Sequence, residues 1–164
     1  MITRRGRSHI EAGLGKQARV DLGALGTPLE TEPELGRALG LRAPLLVKRD
    51  DLAGPGLGGN KVRKLQYVLA EALAGGADCV VTIGAVQSNH ARLTAVCGCL
   101  TGLEAYLVLG GDPDRMWGGN LTPDLLAGAH LRCVAQDDWE SLDRAAAQLV
   151  AELRGDGRKP YLIP

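Results

Sequence analysis

The 164-residue sequence contains no phenylalanine, and its other aromatic residues are only two Trp and three Tyr. Its core must therefore be assembled from Ala, Val and Leu, which suits helices packed closely on a parallel sheet. Charge of one sign is also missing, because 19 Lys and Arg balance 19 Asp and Glu. That balance gives no general attraction to nucleic acid or to an anionic membrane surface. No stretch approaches the roughly 18 consecutive apolar residues of a membrane span. The basic start Met1-Ile2-Thr3-Arg4-Arg5-Gly6-Arg7 lacks the apolar segment of a secretory signal, so a cytoplasmic chain is expected. The four cysteines, Cys79, Cys97, Cys99 and Cys133, contain no Cys-x-x-Cys pair, and Cys97-x-Cys99 has no second cluster to complete a metal site. Cys79 and Cys133 fall in apolar strand-like runs where small buried thiols are the rule, and all four are expected to be reduced and structural.

What is present is a globular composition, with 45% hydrophobic and 23% charged residues, at the length of one ordinary domain. Residues 1–20 are polar and irregular, and mobility is expected there. A short helix is expected over 34–39, and Pro44 to Asp51 starts as a strand and ends in the charged run Lys48-Arg49-Asp50-Asp51. The permissive loop Leu52 to Gly59 leads into a helix from Asn60, a plausible N-cap, to about Ala74, with Val62, Leu65, Val68, Leu69 and Ala72 as its buried stripe. From there the chain alternates. Strands are predicted over 79–83, 105–109 and 131–135, and a fourth opens at Lys159. Helices are predicted from Asn89 to Leu100 (Leu93, Val96 and Leu100 inward), near Pro123 to Ala127, and after an Asp137 or Asp138 cap with Leu142, Ala145, Leu149 and Leu153 inward. Such alternation predicts an α/β fold, a parallel sheet with helices on both faces.

Two stretches carry chemistry. In Gly58-Gly59-Asn60-Lys61-Val62-Arg63-Lys64-Leu65 a lysine occupies the first turn of a helix, where the dipole and desolvation disfavour its ammonium, making Lys61 a candidate imine-forming nucleophile. The alternative is a solvated lysine after a turn. In Gly84-Ala85-Val86-Gln87-Ser88-Asn89-His90, Ser88 and Asn89 open a helix at the carboxyl end of a strand, a place that suits a carboxylate. They could equally be a plain N-cap with His90 exposed behind it. Gly54 to Gly59 formally matches G-x-G-x-x-G, but four charges separate it from the strand, and Asp78 precedes Cys79 to Ile83 rather than ending it, which argues against a nicotinamide or flavin site.

Together, Lys48-Arg49-Asp50-Asp51, Gly58 to Leu65 and Gln87-Ser88-Asn89-His90-Ala91-Arg92 resemble, in order and spacing, the pyridoxal-phosphate enzymes of the D-cysteine desulfhydrase and 1-aminocyclopropane-1-carboxylate deaminase family. Thr27-Pro28-Leu29, Gly119-Asn120, Leu125 to Ala129 and Gly157 to Tyr161 extend the likeness over nearly the whole chain after residue 20. The resemblance implies the tryptophan-synthase-β-like fold: residues 1–59 an N-terminal part of a large domain, 60–155 a complete small α/β domain, and 156–164 the return toward the large domain. It implies pyridoxal 5'-phosphate as cofactor, a small amino acid as substrate and a homodimer in the full-length family. By the same resemblance Lys61 is the catalytic lysine that binds the cofactor, and Asn89 contacts the cofactor ring oxygen. Ser88 belongs to the substrate-carboxylate site and is a catalytic nucleophile in the deaminase branch. Lys64 adds charge near the phosphate, with a solvated helix lysine as its alternative, and His90 joins Ser88 and Asn89 on the substrate side.

His90 favours α,β-elimination of D-cysteine to pyruvate, ammonia and hydrogen sulfide, since the cyclopropane deaminases resemble this stretch with Gln in its place. A 1-aminocyclopropane-1-carboxylate deaminase, an L-cysteate sulfo-lyase and a non-catalytic fragment that binds a carboxylate or a partner chain are the alternatives. Family members continue past this point with a phosphate-cradling loop and the residues that face the pyridine nitrogen, so the chain is expected to be an N-terminal fragment with an exposed apolar surface on its first segment.

Overall fold

The computed structural model describes residues 13, 15–112 and 118–163. The irregular stretch expected over 1–20 lies mostly outside these, as do Pro113 in the loop after Leu109 and Pro164. The first elements form a small antiparallel pair: β1 (Leu29–Thr31), α1 (Pro33–Ala38) and β2 (Leu46–Lys48), with Glu30 opposite Val47. A 3-10 turn (Asp50–Leu52) and the glycine loop then lead to α2 (Lys61–Ala74). The remainder is β3 (Cys79–Ala85), α3 (Asn89–Thr101), β4 (Glu104–Gly110), α4 (Leu121–Leu126), β5 (His130–Val134), α5 (Trp139–Gly155) and β6 (Pro160–Leu162).

The second sheet is wholly parallel, in the order β5-β4-β3-β6, with Cys79 opposite Glu104 and Ala85 opposite Gly110. Alternate residues of its central strands go to opposite faces. Val80, Leu107 and Leu109 pack with Val62, Leu65 and Leu69 of α2 and Leu93 of α3. Cys79, Val81 and Val108 pack with Leu142, Ala146, Leu149, Val150 and Leu153 of α5. Both faces are therefore covered, as the unbroken apolar character of β3 requires. Because the glycine-rich loop follows an antiparallel strand outside this sheet, the structural context of a dinucleotide fingerprint is absent.

The charged run after β2 is a clamp rather than a solvated strand end. Asp50 accepts from Arg63 Nη2 at 2.6 Å, Arg63 Nε at 2.9 Å and Thr27 Oγ1 at 3.2 Å, tying the N-terminal segment to α2. Arg49 joins Glu30 at 2.8 Å and Asp51 at 2.7 Å, and Lys48 Nζ donates to the Thr27 carbonyl. The Val20 amide adds a bond to the Gln66 carbonyl at 2.9 Å, and Leu22 and Ala53 enter the core. The opposite side of this segment carries the expected apolar surface, with Leu29, Leu35, Leu39, Leu41, Leu46, Leu52 and Leu57 all exposed.

Four expectations need correction. Leu100 is 62% exposed, because the last turn of α3 faces a shallow groove against Pro123 and Leu126 instead of the sheet. Cys133 is exposed, since β5 is an edge strand whose alternate side chains meet solvent, and Cys99 is exposed as well. Cys79 and Cys97, by contrast, are buried. Asn60 precedes α2 but makes no side-chain cap: its backbone (φ −62°, ψ −20°) is already helical, whereas a capping side chain needs an extended backbone. By contrast Asp138, at extended φ/ψ, does cap α5 by accepting from the Ser141 amide at 2.9 Å.

The two leucines make a direct test of this packing. Leu69→Ala, at a fully buried site, is expected to cost about 2–5 kcal/mol in urea unfolding. Leu100→Ala is expected to stay within about 0.5 kcal/mol of the parent.

Candidate active site

A helix that leads into or out of a parallel strand runs antiparallel to it, so the N-termini of α2, which leads into β3, and of α3 and α5, which follow β3 and β5, collect at the carboxyl edge of the sheet. There they enclose a cleft of about 710 Å³ whose lining includes Lys61, Lys64, Gly84, Ser88, His90 and Trp139. That volume is ample for a cofactor with a small substrate. Lys61 is the first residue of α2 and Lys64 lies one turn on. The glycine loop delivers Lys61 to this edge: a Cβ on Gly58 (φ +68°) would lie 1.8 Å from the Asp51 carbonyl oxygen, so only glycine permits the approach. The Gly59 amide is held by the Asp50 carbonyl at 2.8 Å.

Ser88 closes the turn after β3, its amide donating to the Ala85 carbonyl at 2.8 Å, and caps α3 by accepting from the Ala91 amide at 3.2 Å. Capping uses one lone pair, so the hydroxyl proton remains able to donate into the cleft. Gly84 allows this placement, because a Cβ there would approach Ser88 Cβ and Oγ to 2.7 and 2.8 Å. The first-turn amides of α3 have no intrahelical partner and favour an anion.

His90 is partly buried at this turn. Its Nδ1 is buried without a hydrogen-bond partner among the described residues. Burial first, then the Lys64 and Lys61 charges, push its pKa down to about 4, so it is an uncharged imidazole at neutral pH. The cleft thus brings Lys61, Lys64, Ser88 and His90 together. Asn89 stands beside that lining rather than in it: its Oδ1 accepts from Asn120 Nδ2 at 3.1 Å and from Arg92 Nη2 at 3.4 Å. Since arginine can only donate, this fixes the oxygen toward the protein and leaves the Asn89 Nδ2 group unbonded among the described residues.

Trp139, Asp143 and Ile163 also line the cleft and were not apparent from sequence. They arrive because β6 pairs with β3, a choice that no local periodicity records. Asn120, which braces the turn through Gln87, lay within the family-like Gly119-Asn120 dipeptide, and that was its only signal.

Comparison with known proteins agrees with this geometry. Residues 20–164 match the family model described as "Pyridoxal-phosphate dependent enzyme". The chain belongs to that family. A solved structure described as an ACC deaminase homologue superposes with a TM-score of 0.86 at 44% identity, covering 94% of this chain and 46% of that one. A Pyrococcus abyssi protein, provisionally named a 1-aminocyclopropane-1-carboxylate deaminase, is 43% identical over 155 residues, 94% of this chain and 46% of the relative. The mitochondrial bifunctional D-cysteine desulfhydrase/1-aminocyclopropane-1-carboxylate deaminase of Arabidopsis thaliana is 40% identical over 127 residues, 73% of this chain and 32% of the relative. The chain spans about half the length, or less, of the relatives it matches. Its fold is the α/β, tryptophan-synthase-β-like one, and the family's enzymes depend on pyridoxal phosphate. Among the described residues no helix is long and apolar enough to cross a membrane.

The cleft residues fit that cofactor. Two ammonium groups and a helix N-terminus suit its anionic phosphate and a substrate carboxylate, and the orphaned His90 Nδ1 offers a buried polar atom still lacking a partner.

The His90 shift has a consequence for stability. The folded state holds this imidazole neutral to about 4, whereas an unfolded histidine protonates near 6.5. Its contribution is therefore present above 6.5 and is lost as pH falls through this window, where the unfolded chain binds the extra proton. Asp124, raised by burial from 3.8 to about 6, works in the opposite sense, losing stability as pH rises through its own window. From about pH 7 to about pH 4.5 the thermal unfolding midpoint should fall more steeply for the parent than for His90→Gln, which retains the contribution of Asp124. Equal slopes would contradict the assignment.

Proposed function

We propose that this chain carries the lysine-bearing part of a pyridoxal-phosphate-dependent lyase acting on a small amino acid, with D-cysteine as the first candidate substrate. The observation that supports this most is the meeting of Lys61, Ser88 and an uncharged His90 in one cleft at the carboxyl edge of the sheet. The cofactor, when bound, supplies the electron sink. In this reading Lys61 Nζ holds the cofactor and, once released, moves the proton at the substrate Cα. Ser88 and the first amides of α3 bind the substrate carboxylate. Lys64 adds charge by the phosphate, and Asn89 Nδ2 serves the cofactor ring oxygen.

His90 presents one N–H donor and one acceptor beside the substrate. The net reaction removes the Cα proton, breaks the Cβ–S bond with the electron pair leaving on sulfur, and adds water to give pyruvate, ammonia and hydrogen sulfide. A second reading, opening of 1-aminocyclopropane-1-carboxylate, is favoured by the names of relatives such as the Methylobacterium deaminase, 37% identical over 144 residues. L-cysteate is a third substrate of the same chemical class. We further propose that residues 1–59 belong with a larger domain, the exposed leucines between Leu29 and Leu57 packing on it, while residues 60–155 form the small domain.

Adding pyridoxal phosphate to the chain is expected to produce a visible absorbance band that borohydride bleaches and that Lys61→Ala abolishes. A band of equal strength in Lys61→Ala, or none in the parent, would overturn the assignment. Sulfide released from D-cysteine favours the first substrate, and ammonia from the cyclopropane compound without sulfide favours the second.

A further inference from the structure

Behind the Ser88–His90 turn lies a pair of buried charges that does not line the cleft. Arg92, in the second turn of α3, is 4% exposed, and Asp124 of α4 is fully buried. Among the described residues neither carboxylate oxygen of Asp124 has a hydrogen-bond partner, and the same is true of Arg92 Nε and Nη1. The two charges interact through space without forming a contact ion pair: Arg92 lowers the Asp124 pKa and Asp124 raises that of Arg92, each against a larger effect of burial. An apolar pair of similar volume would fill this space without the cost of desolvation. What arginine adds is directed donors.

Those donors reach both functional stretches of the sequence. Arg92 Nη2 donates to the Gly58 carbonyl at 3.0 Å and to Asn89 Oδ1 at 3.4 Å. The Gly59 backbone lies against the same guanidinium, since a Cβ placed there would sit 3.8 Å from Nη2. Asn120 completes the tie, donating from Nδ2 to Asn89 Oδ1 at 3.1 Å and to the Gln87 carbonyl at 2.7 Å, while its amide donates to Gln87 Oε1 at 2.8 Å. We propose that Arg92, backed by Asp124, is a positioning residue that joins the Gly58 carbonyl to the Asn89 carboxamide, so that Lys61 and Asn89 Nδ2 keep a fixed separation. The role of that separation rests on the function proposed above; the tie itself does not.

Two measurements on the whole chain separate these. Arg92→Lys keeps a charge opposite Asp124 but is shorter and lacks the Nη2 group that donates to both acceptors. Arg92→Met/Asp124→Leu removes the charge pair while keeping apolar volume, and serves if Arg92→Lys folds poorly. With the unfolding midpoint near that of the parent, hydrogen exchange of the backbone amides over residues 58–62 should quicken about tenfold in either variant, the effect of one lost charged hydrogen bond. Unchanged exchange there in a folded variant would overturn the tie. In the second measurement, titration with pyridoxal phosphate should show about tenfold weaker binding for Arg92→Lys, with Asn89→Ala adding nothing further in the double variant. Full additivity would overturn the link to Asn89. If the parent gives no band, the proposed function fails while the exchange result still decides the tie.

Discussion

The parallel pairing of β3 with β4 is the constraint on which the molecule depends. Seven registered pairs, from Cys79–Glu104 to Ala85–Gly110, require that each connection return antiparallel as a helix. The helix N-termini then collect where the strands end. Burying both faces of β3 needs α2 and α3 on one side and α5 on the other, which leaves the carboxyl edge open as a cleft. Without this pairing Lys61 and Ser88, 27 positions apart in sequence, would have no reason to share a wall.

Within the frame, a second set of interactions sets the chemistry. The clamp of Asp50 on Arg63 fixes the start of the glycine loop, and the close approach of Gly58 to the Asp51 carbonyl fixes its end. On the other wall, Gly84 gives Ser88 room to cap α3 while keeping its proton available. His90 then sits where burial and two lysines keep it neutral. None of these groups is unusual alone; it is their joint placement in one cleft that sets them apart from a solvated helix end.

Much of this was legible in the sequence because it is written in contiguous stretches. The strands, the long helices and the sites at Lys61, Ser88 and His90 each declare themselves through local pattern or a dense motif. The parts that escaped depend on neighbours that sequence does not name. Leu100 keeps helical spacing with Leu93, yet the sheet no longer lies beneath it. Cys133 has the setting of a core thiol but occupies an edge strand. Asn60 is the right residue for a cap on the wrong backbone. Trp139 and Asp143 reach the cleft through strand order, and no local pattern records that Arg92 donates to the Gly58 carbonyl.

Lys61, rather than any other lysine of the chain, is the amine we propose as reactive in the cleft. Mass spectrometry of the chain after borohydride reduction with limiting pyridoxal phosphate tests it most directly. The expected result is a pyridoxyl adduct confined to the peptide that carries Lys61 and assigned by fragmentation to that residue. An adduct on Lys64, or one spread evenly over the lysines of the chain, would contradict it.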